Sequence, residues 1–343
     1  MDHDAFSVVV PAYNAAATLP SCLDGLRAAR PAPAEVIVYD DGSTDDTAEI
    51  ARAAGARVVT GRTARAGPAV GRNRAAREAR TATVVFVDAD VVVEPEAPSL
   101  LAAAVRAEPQ VVAAFGAYGP DPAVSNIAGR YANLRHHHTH TEAGARQDGQ
   151  AETFWSGLGA VDRAAFLSVG GFDEGYGRPC IEDVELGARL RAAGGEVRIV
   201  PTARGDHLKD WTLRQLWHTD VFCRAVPWSR LIATGRLGDT LNTTSDEKAK
   251  SLIAHGVWAS ALAALFVPAL LALTLVLAAA YLWTNRSLLG VLRRDSRRLA
   301  VAGAGLHWLY HLYASAVFGA VLAWTGFQAR MDRRGLRRRP ATS

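Results

Sequence analysis

Several things are scarce in this chain of 343 residues, and each shortage narrows what it can be. It has three cysteines, Cys22, Cys180 and Cys223, which show no metal-ligand spacing and no even set for disulfides. Reduced thiols of a cytosolic protein are the expectation. Neither charge dominates: 38 Lys and Arg against 34 Asp and Glu leave +4. Much of that surplus is terminal, in Arg333, Arg334, Arg337, Arg338 and Arg339. A basic stripe for nucleic acid is missing, so no nucleic-acid partner is expected. The tail follows an apolar run, which favours a membrane-surface anchor, although an ordinary solvated tail has the same composition. The start, Met1-Asp-His-Asp4, lacks the basic region and apolar core of a signal peptide. The globular part is therefore expected in the cytoplasm.

Hydrophobic residues make up 49%, an ordinary share that is unevenly spread. The pattern is mixed and globular up to about residue 250 and then gives way to two apolar runs, 257–283 and 299–327. Each exceeds the roughly 20 residues that cross a bilayer. Pro268 is expected to kink the first. His307 and His311, four apart, share a helical face expected to look towards the first run. Arg293, Arg294, Arg297 and Arg298 lie between the runs, and more arginines follow the second. The positive-inside rule puts both basic segments on the cytoplasmic side. Two simple crossings from a cytoplasmic domain cannot do that. Two membrane helices are the leading expectation, with re-entrant or interfacial runs as the alternative. The expected division is a globular domain over 1–230, an interfacial linker over 231–256, the two membrane segments within 257–327, and a basic cytoplasmic tail over 328–343.

Within 1–230, short β-rich runs alternate with helical patterns. Strands are expected over 6–10, 35–39, 57–60, 84–87, 110–115 and 196–200, the last closed by Pro201. Apolar residues can also make 153–160 a strand. Alternation at these spacings predicts an α/β fold with a mainly parallel sheet covered on both faces. A helix over 126–140 ends in His136-His-His-Thr-His140, which lacks complementary acidic spacing and reads as an exposed, partly mobile segment. Trp211, Trp217, Phe222 and Trp228 alternate with Arg214, Arg224 and Arg230, a composition of interfacial segments. Packing against the sheet accounts for it equally.

Acidic residues at strand ends carry the functional signal. Thr83-Val-Val-Phe-Val-Asp-Ala-Asp90 is a buried strand closed by Asp88 and Asp90, which two-residue spacing puts on one side. Such a pair can reach a divalent cation bridging phosphates, at the sheet edge where open α/β folds bind ligands. An acidic strand-to-loop junction carries the same three letters. Asp40 and Asp41 close the second strand in the same way, whereas Asp45 and Asp46 read as helix capping. Glu182 and Asp183 open a helix over about 182–193, where capping and chemistry are both open readings.

Six stretches in order resemble the family 2 glycosyltransferases of the GT-A fold, a Rossmann-like nucleotide-diphospho-sugar transferase domain. They are Val8-Val-Val-Pro-Ala-Tyr-Asn14, Val38-Tyr-Asp-Asp-Gly-Ser-Thr-Asp45, Gly71-Arg-Asn73, Phe86-Val-Asp-Ala-Asp90, Gly170-Gly-Phe-Asp-Glu174 and Glu182-Asp-Val-Glu-Leu-Gly187. The resemblance implies that Pro11, Ala12 and Tyr13 contact the nucleoside. It implies that Asp41 binds the base and that Arg72 or Asn73 lies near ribose or phosphate. Asp88 and Asp90 would hold the nucleotide ribose and the metal, Mg²⁺ or Mn²⁺, with His207 completing the metal site. Asp183 would be the general base. The Q-x-x-R-W motif of processive members is missing from Trp211 to Trp217, which favours transfer of a single sugar. The implied donor is a UDP-, GDP- or dTDP-sugar. One base without a second nucleophilic carboxylate implies inversion at the anomeric carbon. The apolar C-terminal region implies a cell-membrane location with a cytoplasmic catalytic domain and a lipid-linked or other glycan acceptor.

Two other classes share parts of the pattern. A metal-dependent sugar nucleotidyltransferase usually shows a Gly-rich signature with a basic residue near its first strand, where this chain has Pro11-Ala-Tyr-Asn14. A non-catalytic assembly subunit could keep the fold, but intact Asp88, Asp90 and Asp183 argue against it.

Overall fold

The computed structural model describes residues 4–61, 65–146, 149–237 and 244–333. The chain forms two compact units, Met1–Leu213 with Gly290–Ala300, and Arg214–Leu289 with Val301–Ser343. The first is therefore shorter than the expected 1–230, and it regains a later piece of chain.

The first unit is built on one sheet, whose strands are β1 (Phe6–Ala12), β2 (Glu35–Asp40), β3 (Arg57–Thr60), β4 (Thr83–Val87), β5 (Val91–Val93), β6 (Val111–Tyr118), β7 (Gln150–Ala151), β8 (Leu158–Asp162) and β9 (Glu196–His207). Their order is β3-β2-β1-β4-β8-β6-β9-β5, with β7 on β9. The β3-β2-β1-β4 half is parallel throughout, as the alternation of strands and helices predicts. β8 enters antiparallel to β4 and β6, and the pairing of β6 with β9 is parallel again. Around the sheet run α1 (Leu19–Arg27), α2 (Thr47–Ala53), α3 (Pro68–Glu78), α4 (Ala97–Ala107), α5 (Ile127–Arg146), α6 (Arg163–Ser168) and α7 (Glu182–Ala192). Every residue of β4 is buried, which explains why it reads as an unbroken apolar run.

Two departures from the sequence expectation matter for the site. Pro201 does not close the last strand. The register of β6 on β9 shifts between Phe115↔Ile199 and Ala117↔Arg204. That irregularity takes up the residue with no N–H to donate. The strand runs on to His207, where it pairs with β5, Val91 opposite His207. The histidine cluster is also not an exposed, mobile segment. It belongs to α5, where Asn133, His137 and His140 lie four and then three residues apart and so share a face. His137 Nδ1 is 2.7 Å from the Tyr118 carbonyl oxygen, and His140 Nδ1 is 2.9 Å from that of Gly116. Composition alone suggested a polar segment; the helical period turns these rings onto β6.

The second unit is helical. It contains most of α8 (Leu213–His218), a π-helical turn (Thr219–Ala225), α9 (Val226–Ala233), α10 (Ser245–Ala264), α11 (Leu270–Thr284), the start of α12 (Arg286–Asp295) and most of α13 (Arg297–Arg333). The run 257–283 is not one kinked helix. It breaks at residues 265–269 around Pro268, and α11 packs back on α10. Thr274 Oγ1 donates to Ser260 Oγ at 3.0 Å, and a Cβ on Gly256 would lie 3.2 Å from Leu277. Those pairs run in opposite chain directions, so the two helices are antiparallel. The expected linker 231–256 holds the end of α9 and the first half of α10; its residues 238–243 lie outside the described residues. His311 does face the earlier helices, with Nδ1 2.8 Å from the Tyr281 hydroxyl and Nε2 3.2 Å from Glu247 Oε2. Residues 297–331 of α13 are long and apolar enough to cross a membrane. The basic tail beyond Arg333 lies outside the described residues.

Candidate active site

The carboxyl ends of β1, β2 and β4 lie side by side in the sheet and bring the expected donor-site residues to one edge. Ala12 is buried at the end of β1, and its carbonyl accepts from Asp41 N at 2.9 Å. Asp41 is buried, and its two carboxylate oxygens accept from Ala66 N and Gly67 N, each at 2.8 Å. It therefore orders the turn into α3. Gly67 at φ +98° suits that turn, since a side chain there would be strained. Tyr13 follows Pro11 and Ala12 and is exposed, with the Arg65 guanidinium 5.3 Å from its ring centroid.

Asp88 and Asp90 have different surroundings. Asp88 accepts from Arg72 Nη2 at 2.5 Å, and the same buried guanidinium reaches Glu182 at 3.1 Å. Burial works against the charge of Arg72, but Asp88 and then Glu182 outweigh it and raise its pKa. Arg72 thus ties the end of β4 to the start of α7. Asn73 points elsewhere. Its amide bonds Phe172 in both directions, Nδ2 to the carbonyl at 2.9 Å and Oδ1 from the N–H at 2.8 Å, and Nδ2 also reaches Glu174. Gly171 makes room, because a Cβ there would sit 2.3 Å from Asn73 Oδ1. Of the two nucleotide candidates on α3, Arg72 faces the carboxylates, and Asn73 holds the Gly170-Gly-Phe-Asp-Glu174 turn.

Asp90 stands directly before β5, and the pairing of that strand with β9 sets it beside His207, with Nε2 3.3 Å from Asp90 Oδ2. Leu208 N donates to the Asp90 carbonyl at 2.8 Å and closes the corner. Burial raises the Asp90 pKa, but the His207 contact and Lys209 outweigh it and hold the carboxyl below its ordinary value. The pair offers one oxygen and one imidazole nitrogen, donors that fit a Mn²⁺- or Mg²⁺-type ion with positions left for phosphate and water. Among the described residues, no group of three or more His, Cys, Asp and Glu side chains is placed to hold a metal. A cation held by Asp90 and His207 would take its remaining ligands from outside that pair.

Asp183 lies in the first turn of α7. Its Oδ2 accepts from Ser156 N at 3.2 Å and Oδ1 from Val184 N at 2.8 Å. Burial, and then the neighbouring Glu182, push its carboxyl up from 3.8 to about 7, against the pull of Ser156 N and Arg72. A carboxyl poised there can take a proton near neutral pH. Capping does not account for it, because the side chain turns to Ser156 and its own helix supplies only the adjacent N–H. Glu182 spends one oxygen on Cys180 N at 2.8 Å and the other on Arg72.

Ser156, Asn133 and the ring cluster of Tyr118, His136 and Trp155 were not singled out as site residues. Tyr118 stacks on His207, with centroids 4.8 Å apart and planes within 7°. The one sequence signal for Asn133 was its place on the histidine face of α5.

Residues 7–173 match the profile of the family described as Glycosyl transferase family 2. Validoxylamine A glucosyltransferase of Streptomyces hygroscopicus subsp. limoneus is 32% identical over 220 residues, 55% of this chain and 48% of that protein. A glycosyltransferase of Escherichia coli K12, YibD, is 38% identical over 92 residues, 26% of this chain and 27% of that one. The chain spans about half the length of the validoxylamine A glucosyltransferases it matches. Among solved structures, mannosyltransferase PcManGT from Pyrobaculum calidifontis, in complex with GDP-Man and Mn²⁺, superposes with a TM-score of 0.50 at 20% identity. That match covers 95% of this chain and 86% of the other, a likeness of fold. Residues 7–173 thus form a glycosyl transferase family 2 domain, with the GT-A fold.

Proposed function

We propose that the chain is an inverting, membrane-associated glycosyltransferase that moves one sugar from a nucleotide-diphosphate sugar to an acceptor hydroxyl. The observation that carries the reading is Asp183, a carboxyl raised to about 7, tied through Glu182 and Arg72 to the strand that ends at Asp88 and Asp90. Pro11, Ala12, Tyr13 and Asp41 form the nucleoside side of the edge, and Arg72 keeps the Asp88 charge compensated. Asp90 and His207 hold the divalent cation, which when bound neutralises charge on the departing diphosphate. Asp183 takes the proton of the acceptor hydroxyl as its oxygen bonds to the anomeric carbon. The bond from that carbon to the diphosphate oxygen breaks, and the nucleoside diphosphate leaves. A single displacement inverts the configuration.

The relatives support this choice of chemistry: one is named as a glucosyltransferase, and the solved mannosyltransferase holds GDP-Man and Mn²⁺. The apolar length of α13 supports membrane association; a cytoplasmic catalytic domain at the cell membrane and a lipid-linked acceptor complete the proposal.

The test is a donor panel of UDP-, GDP- and dTDP-sugars with detergent-purified full chain and Mg²⁺ or Mn²⁺, read as nucleotide release with and without acceptor lipid. Release from at least one donor, abolished by chelator, is expected, with the product opposite to the donor in anomeric configuration. Nucleotide binding without turnover across the panel would identify a non-catalytic subunit.

A further inference from the structure

We propose that Asn133 is a positioning residue that fixes which nitrogen of His207 is turned to Asp90. This rests on the cation reading above. Asn133 and His207 are both buried. Asn133 Nδ2 lies 3.3 Å from the backbone carbonyl oxygen of His207, which can only accept. The amide oxygen therefore faces His207 Nδ1, at 3.0 Å, and it too can only accept. Nδ1 must carry the hydrogen. Flipping the amide would set oxygen against the carbonyl and lose that hydrogen bond. The neutral ring then keeps its lone pair on Nε2, 3.3 Å from Asp90 Oδ2.

A carboxylate oxygen and an imidazole lone pair at that distance are two acceptors facing each other, an arrangement that calls for a positive charge between them. Whether a proton or a metal ion sits there, Nδ1–H stays with Asn133. Tyr118, stacked on the His207 ring at 4.8 Å, holds its plane. Ligating histidines are generally oriented by the partner of their second nitrogen, and losing that partner typically costs 10–100-fold in metal affinity. A leucine at position 133 would leave the ring free to turn over or to change tautomer. An aspartate would still accept from Nδ1–H, but it would give up the bond to the His207 carbonyl and bury a charge.

The two substitutions therefore separate positioning from plain structure. Mn²⁺ binding to the full chain is measured by electron paramagnetic resonance, with the ion alone and then with UDP or GDP. Asn133→Leu is expected to weaken Mn²⁺ about 10–100-fold, and Asn133→Asp to restore binding to the wild-type range. Equal loss in both variants, or none in Asn133→Leu, would overturn the proposal. Imidazole ¹⁵N spectra of the metal-free wild type, taken above the ordinary histidine pKa of about 6.5, should show the hydrogen on His207 Nδ1. Its absence would overturn the proposal even where the leucine variant fails to fold. A wild type that binds no Mn²⁺ with either nucleotide would instead overturn the cation reading on which this rests.

Discussion

Asp183 in the first unit and Glu247 in the second both sit in the first turn of a helix, where an ionised carboxylate is favoured. Their surroundings drive them in opposite directions. Burial raises Glu247, but His311 and then Lys250, whose ammonium is 2.6 Å away, outweigh it and bring the carboxyl down from 4.5 to about 2. Asp183 is raised from 3.8 to about 7, because burial and Glu182 act on it together and the nearest guanidinium is spent on Asp88 and Glu182. A carboxylate that secures helices gets cations of its own. One left short of them, beside a like charge, is poised to exchange a proton. The contrast supports the proposed general-base role of Asp183 without reference to motif.

The sharpest way to break this comparison is Asp183→Asn. Loss of a general base is worth about 10²–10⁴-fold, so kcat should fall by that much while nucleotide affinity holds. Wild-type turnover should climb as pH rises through about 7, and the variant should lose that limb. The sign for stability is opposite. A carboxyl whose folded pKa is raised penalises folding as pH climbs from 3.8 through about 7. Asp183→Asn should therefore melt higher than wild type at alkaline pH, and the gap should close in acid below the unfolded value. An active variant with an unchanged melting curve would reduce Asp183 to a cap. Next in size is Arg72→Met. Removing one partner of a buried ion pair typically costs about 3–5 kcal/mol, here because Asp88 and Glu182 lose their shared cation. Denaturant unfolding reads it directly.

The centre of the parallel half was legible because β1, most of β2 and β4 are buried and read as plain apolar runs, with Asp40, Asp41 and Asp88 at their ends. The Asp90–His207 meeting was only half legible. Motif spacing could name both residues, but what joins them is a three-residue strand, Val91–Val93, too short to show a period, and a strand that continues past a proline. The fold of α10 back on α11 was hidden for a different reason. Both flanks of Pro268 are uniformly apolar, so the pattern holds no sign of the reversal. For the histidines of α5, composition points to a polar segment, and only the helical period turns His137 and His140 onto β6.

Glu247→Gln probes the other side of the comparison. Hydrogen bonds to charged groups are worth about 1.5–3 kcal/mol, and this change weakens the bonds to Lys250 and His311. The loss should be full at neutral pH. A depressed folded pKa gives stability above the unfolded value that fades as pH falls, so wild type and variant should converge from 4.5 towards about 2. A pH-independent gap would mean that shape rather than charge is lost.

The smallest effect calibrates the others. Asp162 accepts from Ala165 N at 2.7 Å at the start of α6, and Thr244 accepts from Glu247 N at 3.3 Å at the start of α10. These are ordinary N-caps, one in each unit, and removing such a cap by alanine typically costs about 1 kcal/mol. Asp162→Ala and Thr244→Ala should each give a loss of that size by denaturant unfolding. Thr244→Ala carries a second consequence, because its partner N–H belongs to Glu247. A loosened first turn lets that carboxylate drift from Lys250 and His311. In a Glu247→Gln background the cost of Thr244→Ala should therefore shrink, whereas Asp162→Ala, in the other unit, should add independently to Glu247→Gln. Equal additivity of the two caps would show that Glu247 is held by Lys250 and His311 alone and owes nothing to the turn that carries it.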